Sequence, residues 1–267
     1  MKKYLSFFRL RFIMGLQYRT AALAGIVTQF FWGAMEILMF SAFYRTSPEN
    51  FPMSFSATVC YVWLQQAFLA LFGSWILENE IFDTIMNGNI SYEFCRPVNL
   101  YSMWFSRNVA NRLSAAMLRC MPILLVAAML PAPYGILPPK SLFHFLFFLL
   151  TLFLSLLVVV SVCMLLYVFS FFTISPMGLR MFFSAAMEFF AGAVIPLPFF
   201  PEKVRAVMEL LPFASMQNVP LRVYSGSMSN AEMLRAILLQ IIWLILLVAV
   251  GQMVCKMAER QVTVQGG

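Results

Sequence analysis

Long apolar runs alternate with short polar segments along the whole chain. Six runs have roughly the 20 residues that a membrane-spanning helix needs, and they are apolar on every helical face. They occupy residues 21–43, 57–77, 110–130, 142–165, 177–197 and 233–255. A strand of a membrane barrel would instead alternate polar and apolar positions. The pattern therefore predicts an all-α polytopic membrane protein with six transmembrane helices, forming a single transmembrane domain over residues 1–267.

Two segments outside these runs are amphipathic. Residues 1–20 carry basic residues among apolar ones at helical spacing, which predicts an interfacial helix on the membrane surface. In the polar segment 198–232, Val204, Val207 and Met208 share one helical face, and Pro212 follows soon afterwards. This spacing predicts a short outer helix, and we expect the segment to lie on the membrane or to re-enter it.

Proline marks two further boundaries. The apolar run that continues from 142 to 172 stops before Pro176, and a helix break is expected there. Pro196, Pro198 and Pro201 are expected to end the fifth span.

The composition agrees with lipid contact over much of the surface. Hydrophobic residues make up 62% of the chain and charged residues 11%, with a mean hydropathy of +0.84. Soluble domains have about 45–50% apolar and about 25% charged residues. The net charge of +7 is explained more simply by the positive-inside rule than by a nucleic-acid partner.

The distribution of lysine and arginine predicts the orientation. With a cytoplasmic N-terminus, the inside receives the larger set: Lys2, Lys3, Arg9, Arg11, Arg19, Arg96, Arg107, Arg112, Arg180, Lys256 and Arg260. The outside receives Arg45, Lys140, Lys203, Arg205, Arg222 and Arg235, while Arg119 falls within the third span. This arrangement predicts that both termini lie in the cytoplasm.

Several kinds of chemistry find no support in the residues. The five cysteines form no CxxC pair and His144 is the only histidine, so neither a disulfide framework nor a metal site is expected. The chain has no GxxxxGK[ST] phosphate loop, and it therefore cannot bind ATP in the usual way. We expect no catalytic residues and no enzyme activity in this chain.

The polar segment 78–108 is predicted to lie in the cytoplasm. Ile81, Phe82 and Ile85 share a helical face, and Asn87-Gly88-Asn89 is expected to end that helix in a sharp turn. Residues 92–97 are expected to return in an extended conformation, because the residue before Pro97 is biased away from helix. A helix with acids at its start and one apolar face suits a groove on a partner protein, although an ordinary solvated loop fits equally well.

Residues 86–101, MNGNISYEFCRPVNLY, resemble the conserved loop of bacterial ABC-2 type permeases. The likeness is greatest to the six-helix subfamily related to daunorubicin-resistance-type exporters. The matching positions are Gly88, Ile90, Tyr92, Glu93, Phe94, Arg96 and Pro97. The C-terminal VTVQGG is similar to endings in the same subfamily, and with the six-span layout the resemblance extends over the whole chain.

The resemblance implies a type V ABC exporter fold and an assembly of several chains. Two permease chains, identical or homologous, enclose a path with the first and fifth spans near their interface. A pair of separate ATP-binding subunits holds ATP and Mg²⁺, so this chain needs no cofactor. The exported substrate is expected to be an amphipathic drug, lipid, peptide or natural product.

In such permeases the first cytoplasmic loop couples to the ATPase. The residues that the resemblance and the loop pattern assign to this role are Glu78, Glu80, Asp83, Gly88, Tyr92, Glu93, Arg96 and Pro97. Arg96 has an alternative role, because it can pair with Glu93 or Asp83 and hold the shape of the loop.

Polar side chains within the spans are candidates for the translocation path. They are Glu36, Gln65, Gln66 and Glu188, with Gln29 as a weaker one. Carboxylates inside a membrane are costly and rarely face lipid. Hydrogen bonds between helices explain these residues as well. A competing function is a secondary transporter or channel that uses Glu36 and Glu188 as ion sites, but the chain shows no convincing inverted repeat.

Overall fold

The computed structural model describes residues 2–17, 19–46, 49 and 51–261. Within those residues the chain is helical and contains no β-strand, which confirms the all-α class. The α-helices are α1 (Lys2–Leu16), α2 (Arg19–Thr46), α3 (Phe55–Ala67), α4 (Leu69–Phe72), α5 (Asn79–Met86), α6 (Ile90–Phe94), α7 (Leu100–Met129), α8 (Leu142–Phe169), α9 (Pro176–Ala191), α10 (Glu202–Leu210), α11 (Asn218–Ser225) and α12 (Asn230–Gln261).

Four of these helices are long and apolar enough to cross a membrane: α2, α7, α8 and α12. They match the first, third, fourth and sixth predicted spans and confirm a multi-pass membrane protein. The predicted break before Pro176 is also confirmed, because α8 passes through a 3-10 turn at Ser170–Phe172 and α9 begins at that proline.

The second predicted span is not one continuous helix. A break at Phe68 separates α3 from α4, and regular helix ends at Phe72 instead of residue 77. Another element pairs the carbonyl groups that the end of this helix leaves without helical partners. This element is α7, which inserts a buried arginine beside the end of α4.

Arg112 of α7 is the side chain that completes the end of α4. It is 1% exposed, and its Nη1 donates to the carbonyls of Leu71 at 2.9 Å and Gly73 at 3.0 Å. Its Nη2 donates to the carbonyl of Ile76 at 2.7 Å. The sequence placed Arg112 on the cytoplasmic side, whereas the structure buries it in the bundle as a partner for backbone that no longer has helical hydrogen bonds.

The fifth predicted span is also shorter than expected, since α9 ends at Ala191 rather than near residue 197. Gly192 adopts the left-handed conformation (φ 78°), and the N–H of Ala193 donates to the carbonyl of Glu188 at 3.0 Å. This hydrogen bond closes the helix before the prolines are reached.

The backbone beyond α9 is paired by buried amide side chains. Gln65 of α3 donates to the carbonyl of Ala193 at 2.8 Å, and Gln217 donates to the carbonyl of Gly192 at 3.4 Å. Irregular backbone at membrane depth is tolerated only where protein or water surrounds it. Gln65 and Gln217 provide protein partners for the carbonyls of Ala193 and Gly192, which follow α9.

The segment between α10 and α11 reaches deep between α8 and α12. The carbonyl of Ser215 accepts hydrogen bonds from Ser155 of α8 and Gln240 of α12, each at 2.9 Å. Both donors lie about 15–20 Å from the N-terminal ends of their helices. The predicted short helix after Pro201 is confirmed as α10, which ends just before Pro212.

The helices define two ends of the molecule. At the α5 end, α1 runs beside the first half of α7. The last turns of α12 also approach this end, because a Cβ added to Gly251 would lie 2.7 Å from the ring of Tyr101. At the α10 end, Lys140 donates to the carbonyl of Gly226 at 2.7 Å.

Replacing Arg112 with methionine is expected to destabilise the fold strongly. Three buried carbonyl groups would lose their donor, so the free energy of unfolding should fall by about 3 kcal/mol or more. Unfolding in an SDS titration measures this change. Arg119→Met is the matched control on α7, because among the described residues its buried Nε has no hydrogen-bond partner. Equal stability of the two variants would contradict the assignment of Arg112.

Candidate functional site

The segment from residue 78 to 99, here called the α5–α6 loop, packs its apolar side into its own chain. Ile81 and Phe82 are 1% and 2% exposed. The ring of Phe82 lies 5.0 Å from that of Tyr167 and 4.6 Å below the guanidinium of Arg180. The sequence pattern left open whether this apolar face meets a partner protein or belongs to an ordinary solvated loop. The structure buries Ile81 and Phe82 within the chain and leaves the polar side of α5 and Met86 exposed.

The turn of the α5–α6 loop forms as predicted. Helix α5 ends at Met86, and Gly88 adopts a left-handed conformation with φ 72°. The residues that follow differ from the prediction, because Tyr92 lies in helix α6 and not in an extended strand. Pro97 restricts only the residue before it, and α6 has already ended at Phe94.

Glu78 is an internal support of the loop. Its carboxylate accepts hydrogen bonds from Arg107 and Asn111 of α7, and its side chain is 12% exposed. Its backbone N–H donates to the Tyr167 hydroxyl at 2.8 Å. The side chain is therefore occupied within this chain.

Arg107 joins three elements at the base of the loop. Besides Glu78, it pairs with Glu80, whose carboxylate also lies 3.7 Å from Arg11 of α1. The Arg107 side chain is 10% exposed, whereas that of Glu80 is 67% exposed. Sequence reasoning counted Arg107 only as a cytoplasmic charge. Its spacing of four residues from Asn111 was the available signal that both face the same side of a helix.

Helix α1 holds the far end of the loop. The N–H of Asn99 donates to the Tyr4 hydroxyl at 3.0 Å, and Lys3 donates to the carbonyl of Pro97 at 3.4 Å. Glu93 pairs with Arg96 at 3.6 Å, which is one of the two partners expected for that arginine.

The outward surface of the loop carries the remaining site residues. Asp83, Asn87 and Gly88 are exposed, and Tyr92 is 73% exposed. Beside them, α1, α5, α6 and α7 enclose a cleft of about 280 Å³. Charged groups of both signs line it, namely Arg11, Glu80, Asp83, Glu93, Arg96 and Arg107. The loop therefore presents a polar surface on a buried apolar base.

The predicted path residues fall into two separate groups. At the end of α9, Gln65 binds the Ala193 carbonyl and Glu188 accepts a hydrogen bond from the Ser74 hydroxyl at 2.9 Å. At the contact of α2 and α3, the Glu36 carboxyl lies against Gln66.

The α2–α3 group leaves acceptors without partners. Among the described residues, Oε1 of Glu36 and Oε1 of Gln29 are buried and have no hydrogen-bond partner. The two helices are close here, because a Cβ on Gly33 would lie 3.0 Å from Cγ of Gln66.

Three features define a multi-pass helical membrane protein. They are helices of membrane-spanning length, interrupted helices that buried polar side chains complete, and a polar loop anchored to the bundle. The family model described as ABC-2 family transporter protein matches residues 30–266, and the chain belongs to this family. It is thus an ABC transporter permease, as its loop motif suggested. No curated protein matches the chain. The similar C-terminal ending at 262–267 lies outside the described residues.

Arg107→Gln is expected to loosen α5 without unfolding the bundle. Loss of its charged hydrogen bonds should lower the local opening free energy by about 2 kcal/mol, which is roughly thirtyfold faster amide exchange. Hydrogen–deuterium exchange of peptides covering residues 79–86 measures the effect. Arg96→Gln is the control, because its half-exposed ion pair with Glu93 contributes only about 0–1 kcal/mol. Unchanged protection of α5 in Arg107→Gln would refute the role of this residue.

Proposed function

We propose that the chain is the permease subunit of an ATP-driven exporter and that a separate ATPase subunit docks on the outward surface of the α5–α6 loop. The observation that supports this is the division within the loop. Ile81, Phe82 and Glu78 are bound inside the chain, while Asp83, Met86, Asn87 and Tyr92 are exposed to a partner. ATP and Mg²⁺ would lie on that partner, and this chain would contribute no catalytic group.

The connections of the loop suggest how the partner's movement enters the membrane. Glu78 and Glu80 link α5 to α7 through Arg107. Asn79 accepts a hydrogen bond from Arg180 of α9 at 2.9 Å. A displacement of α5 would therefore pull on α7 and α9 together, and Arg11 would transmit part of it to α1.

We further propose six crossings with both termini in the cytoplasm of a bacterial inner membrane. In this arrangement α3–α4 and α9 are the shortened second and fifth spans, and the segment 198–232 is re-entrant. The N-terminal helix α1 and the C-terminal end of α12 both lie at the α5 end, beside the α5–α6 loop. This arrangement supports the proposal that both termini are on the same side of the membrane.

A second permease chain, identical or homologous, would complete a type V exporter fold. Helix α2 offers a surface for this chain or for lipid, because many of its large apolar side chains are more than half exposed. These are Leu23, Val27, Phe31, Trp32, Met35, Leu38 and Phe43. An amphipathic drug, lipid, peptide or natural product suits a path with so few polar groups.

For the path, we propose different roles for the two polar groups. Gln65 donates to the Ala193 carbonyl and Glu188 accepts from Ser74, and these contacts would hold the end of α9 in place, although Oε1 of Gln65 has no partner among the described residues. Glu36 and Gln66 would face the path, because Glu36 keeps an unpartnered oxygen. A secondary transporter that uses the two glutamates as ion sites is disfavoured by membership of the ABC-2 family.

The double variant Asp83→Lys/Tyr92→Ala is expected to uncouple the ATPase. A charge reversal and the loss of an exposed aromatic ring should lower the affinity by about tenfold or more, as in other aromatic-centred interfaces. The measurement is ATP hydrolysis by a candidate ATP-binding subunit and its co-purification with this chain.

Glu202→Lys is the control for that experiment, since it reverses an exposed charge at the α10 end. It should leave ATP hydrolysis unchanged. If the double variant stimulated ATP hydrolysis as fully as the unmodified chain, docking on this surface would be ruled out.

The native cysteines allow a test of orientation. Cys95 of the loop is exposed, whereas Cys60, Cys163 and Cys255 are buried. A membrane-impermeant maleimide should therefore label Cys95 in inside-out vesicles and not in intact cells. Cys95→Ser provides the background, and labelling of Cys95 from outside intact cells would reverse the topology.

A further inference from the structure

A second polar site lies at the α10 end, far from the α5–α6 loop. Helices α10, α11 and α12 enclose a cavity of about 140 Å³, here called the outer cavity. Its polar lining consists of Glu209, Ser215, Asn218, Arg222, Glu232 and Arg235. The ATPase-docking proposal uses none of these residues.

Two buried polar atoms in this lining have no hydrogen-bond partner among the described residues. They are Oδ1 of Asn218, an acceptor, and Nε of Arg222, a donor. Asn218 is 1% exposed and Arg222 is 7% exposed. Buried polar groups in folded proteins nearly always have a partner, so an unpaired donor and an unpaired acceptor in one cavity indicate a ligand that offers both.

The Arg222 guanidinium is held in a fixed orientation. Its Nη1 donates to Glu209 at 2.7 Å, and its Nη2 donates to the carbonyl of Ser227 at 3.4 Å. The Nε group is therefore the part of this side chain that remains for a ligand. Arginine is well suited to phosphate oxygens, which accept several directed hydrogen bonds.

The charges of the lining balance. Arg222 and Arg235 are opposed by Glu209 and Glu232, so the cavity suits a zwitterion better than a simple anion. A phosphodiester would face the arginines, while a primary ammonium would donate to Asn218 Oδ1 and to a carboxylate. A quaternary ammonium has no N–H group for Asn218. Glu209 already pairs with Arg222, and Glu232 accepts hydrogen bonds from Ser229, so a phosphoglycerol would add an uncompensated negative charge to a lining whose charges balance.

The surroundings of the cavity are apolar and exposed. Val207 and Leu210 of α10 are 63% and 48% exposed, and Leu234 and Leu238 of α12 are 59% and 53% exposed. Further along α12, Ile245 is 65% exposed. These side chains provide a lipid-facing strip that starts at the cavity and follows α12 towards the membrane centre.

We propose that the outer cavity binds the headgroup of a membrane phospholipid that carries a phosphodiester and a primary ammonium. The phosphate contacts Arg222 Nε and Arg235, the ammonium contacts Asn218 Oδ1 and the carboxylates, and the acyl chains lie along α12. This site does not depend on the identity of the ATPase or of the exported substrate.

Native mass spectrometry of the purified full-length chain tests the site. With phosphatidylethanolamine, phosphatidylcholine and phosphatidylglycerol offered at equal concentrations, the chain should retain phosphatidylethanolamine about fivefold or more over the others. Asn218→Leu and Arg235→Gln should each remove most of this preference. Lys203→Gln is the control, because Lys203 carries a positive charge on α10 but does not line the cavity. This variant should keep the preference for phosphatidylethanolamine.

Three results would overturn the proposal. Equal retention of the three lipids, unchanged in both variants, would mean that water fills the cavity. A preference for phosphatidylglycerol would mean an anion site. Binding of soluble glycerophosphoethanolamine as strongly as the lipid would show that acyl chains contribute nothing. Asn218 and Arg235 lie on different helices, so a folding defect in one variant does not imply a defect in the other. Thermal unfolding shows whether each variant is folded, and one folded variant is sufficient for the test.

Discussion

The structure depends on pairing backbone hydrogen-bonding groups inside the membrane, where no water is present to replace a lost partner. Three segments of this chain leave helical geometry inside the bundle, namely the ends of α4 and α9 and the stretch before α11. Side chains from other helices complete them. Arg112 serves the end of α4, Gln65 and Gln217 serve the end of α9, and Gln240 with Ser155 serves the segment near α11. The interrupted helices therefore require the bundle that surrounds them.

This pairing also positions the α5–α6 loop. Arg107 and Arg112 are five residues apart on α7, and they hold the two ends of the short irregular segment that joins α4 to α5. Glu78, at the end of that segment, is bound both to α7 and to Tyr167 of α8. The same helix thus supports the irregular end of the second span and the candidate docking loop, which provides a direct mechanical link between them.

Local signals in the sequence were reliable where neighbouring residues decide the conformation. The long apolar runs located four membrane-length helices, Pro176 marked the start of α9, Gly88 marked the loop turn and the spacing of Val204 and Val207 located α10. The errors occurred where distant residues decide. The second span was drawn as continuous, the fifth was drawn too long, and the buried partners of Arg107, which was counted only as a cytoplasmic charge, were not predicted.

The sequence by itself determined the class of the protein, the number of apolar runs and the motif that relates it to ABC-2 permeases, because length, hydropathy and proline or glycine positions act locally. Only the tertiary structure decided which charges are buried and what they bind. Arg112 meets carbonyls 36 to 41 residues away along the chain, and Glu78 meets Arg107 29 residues away. Hydropathy assigns an arginine to the aqueous side because desolvating its charge is costly. A bundle of helices offsets that cost with carbonyl and carboxylate partners, which become neighbours only after folding.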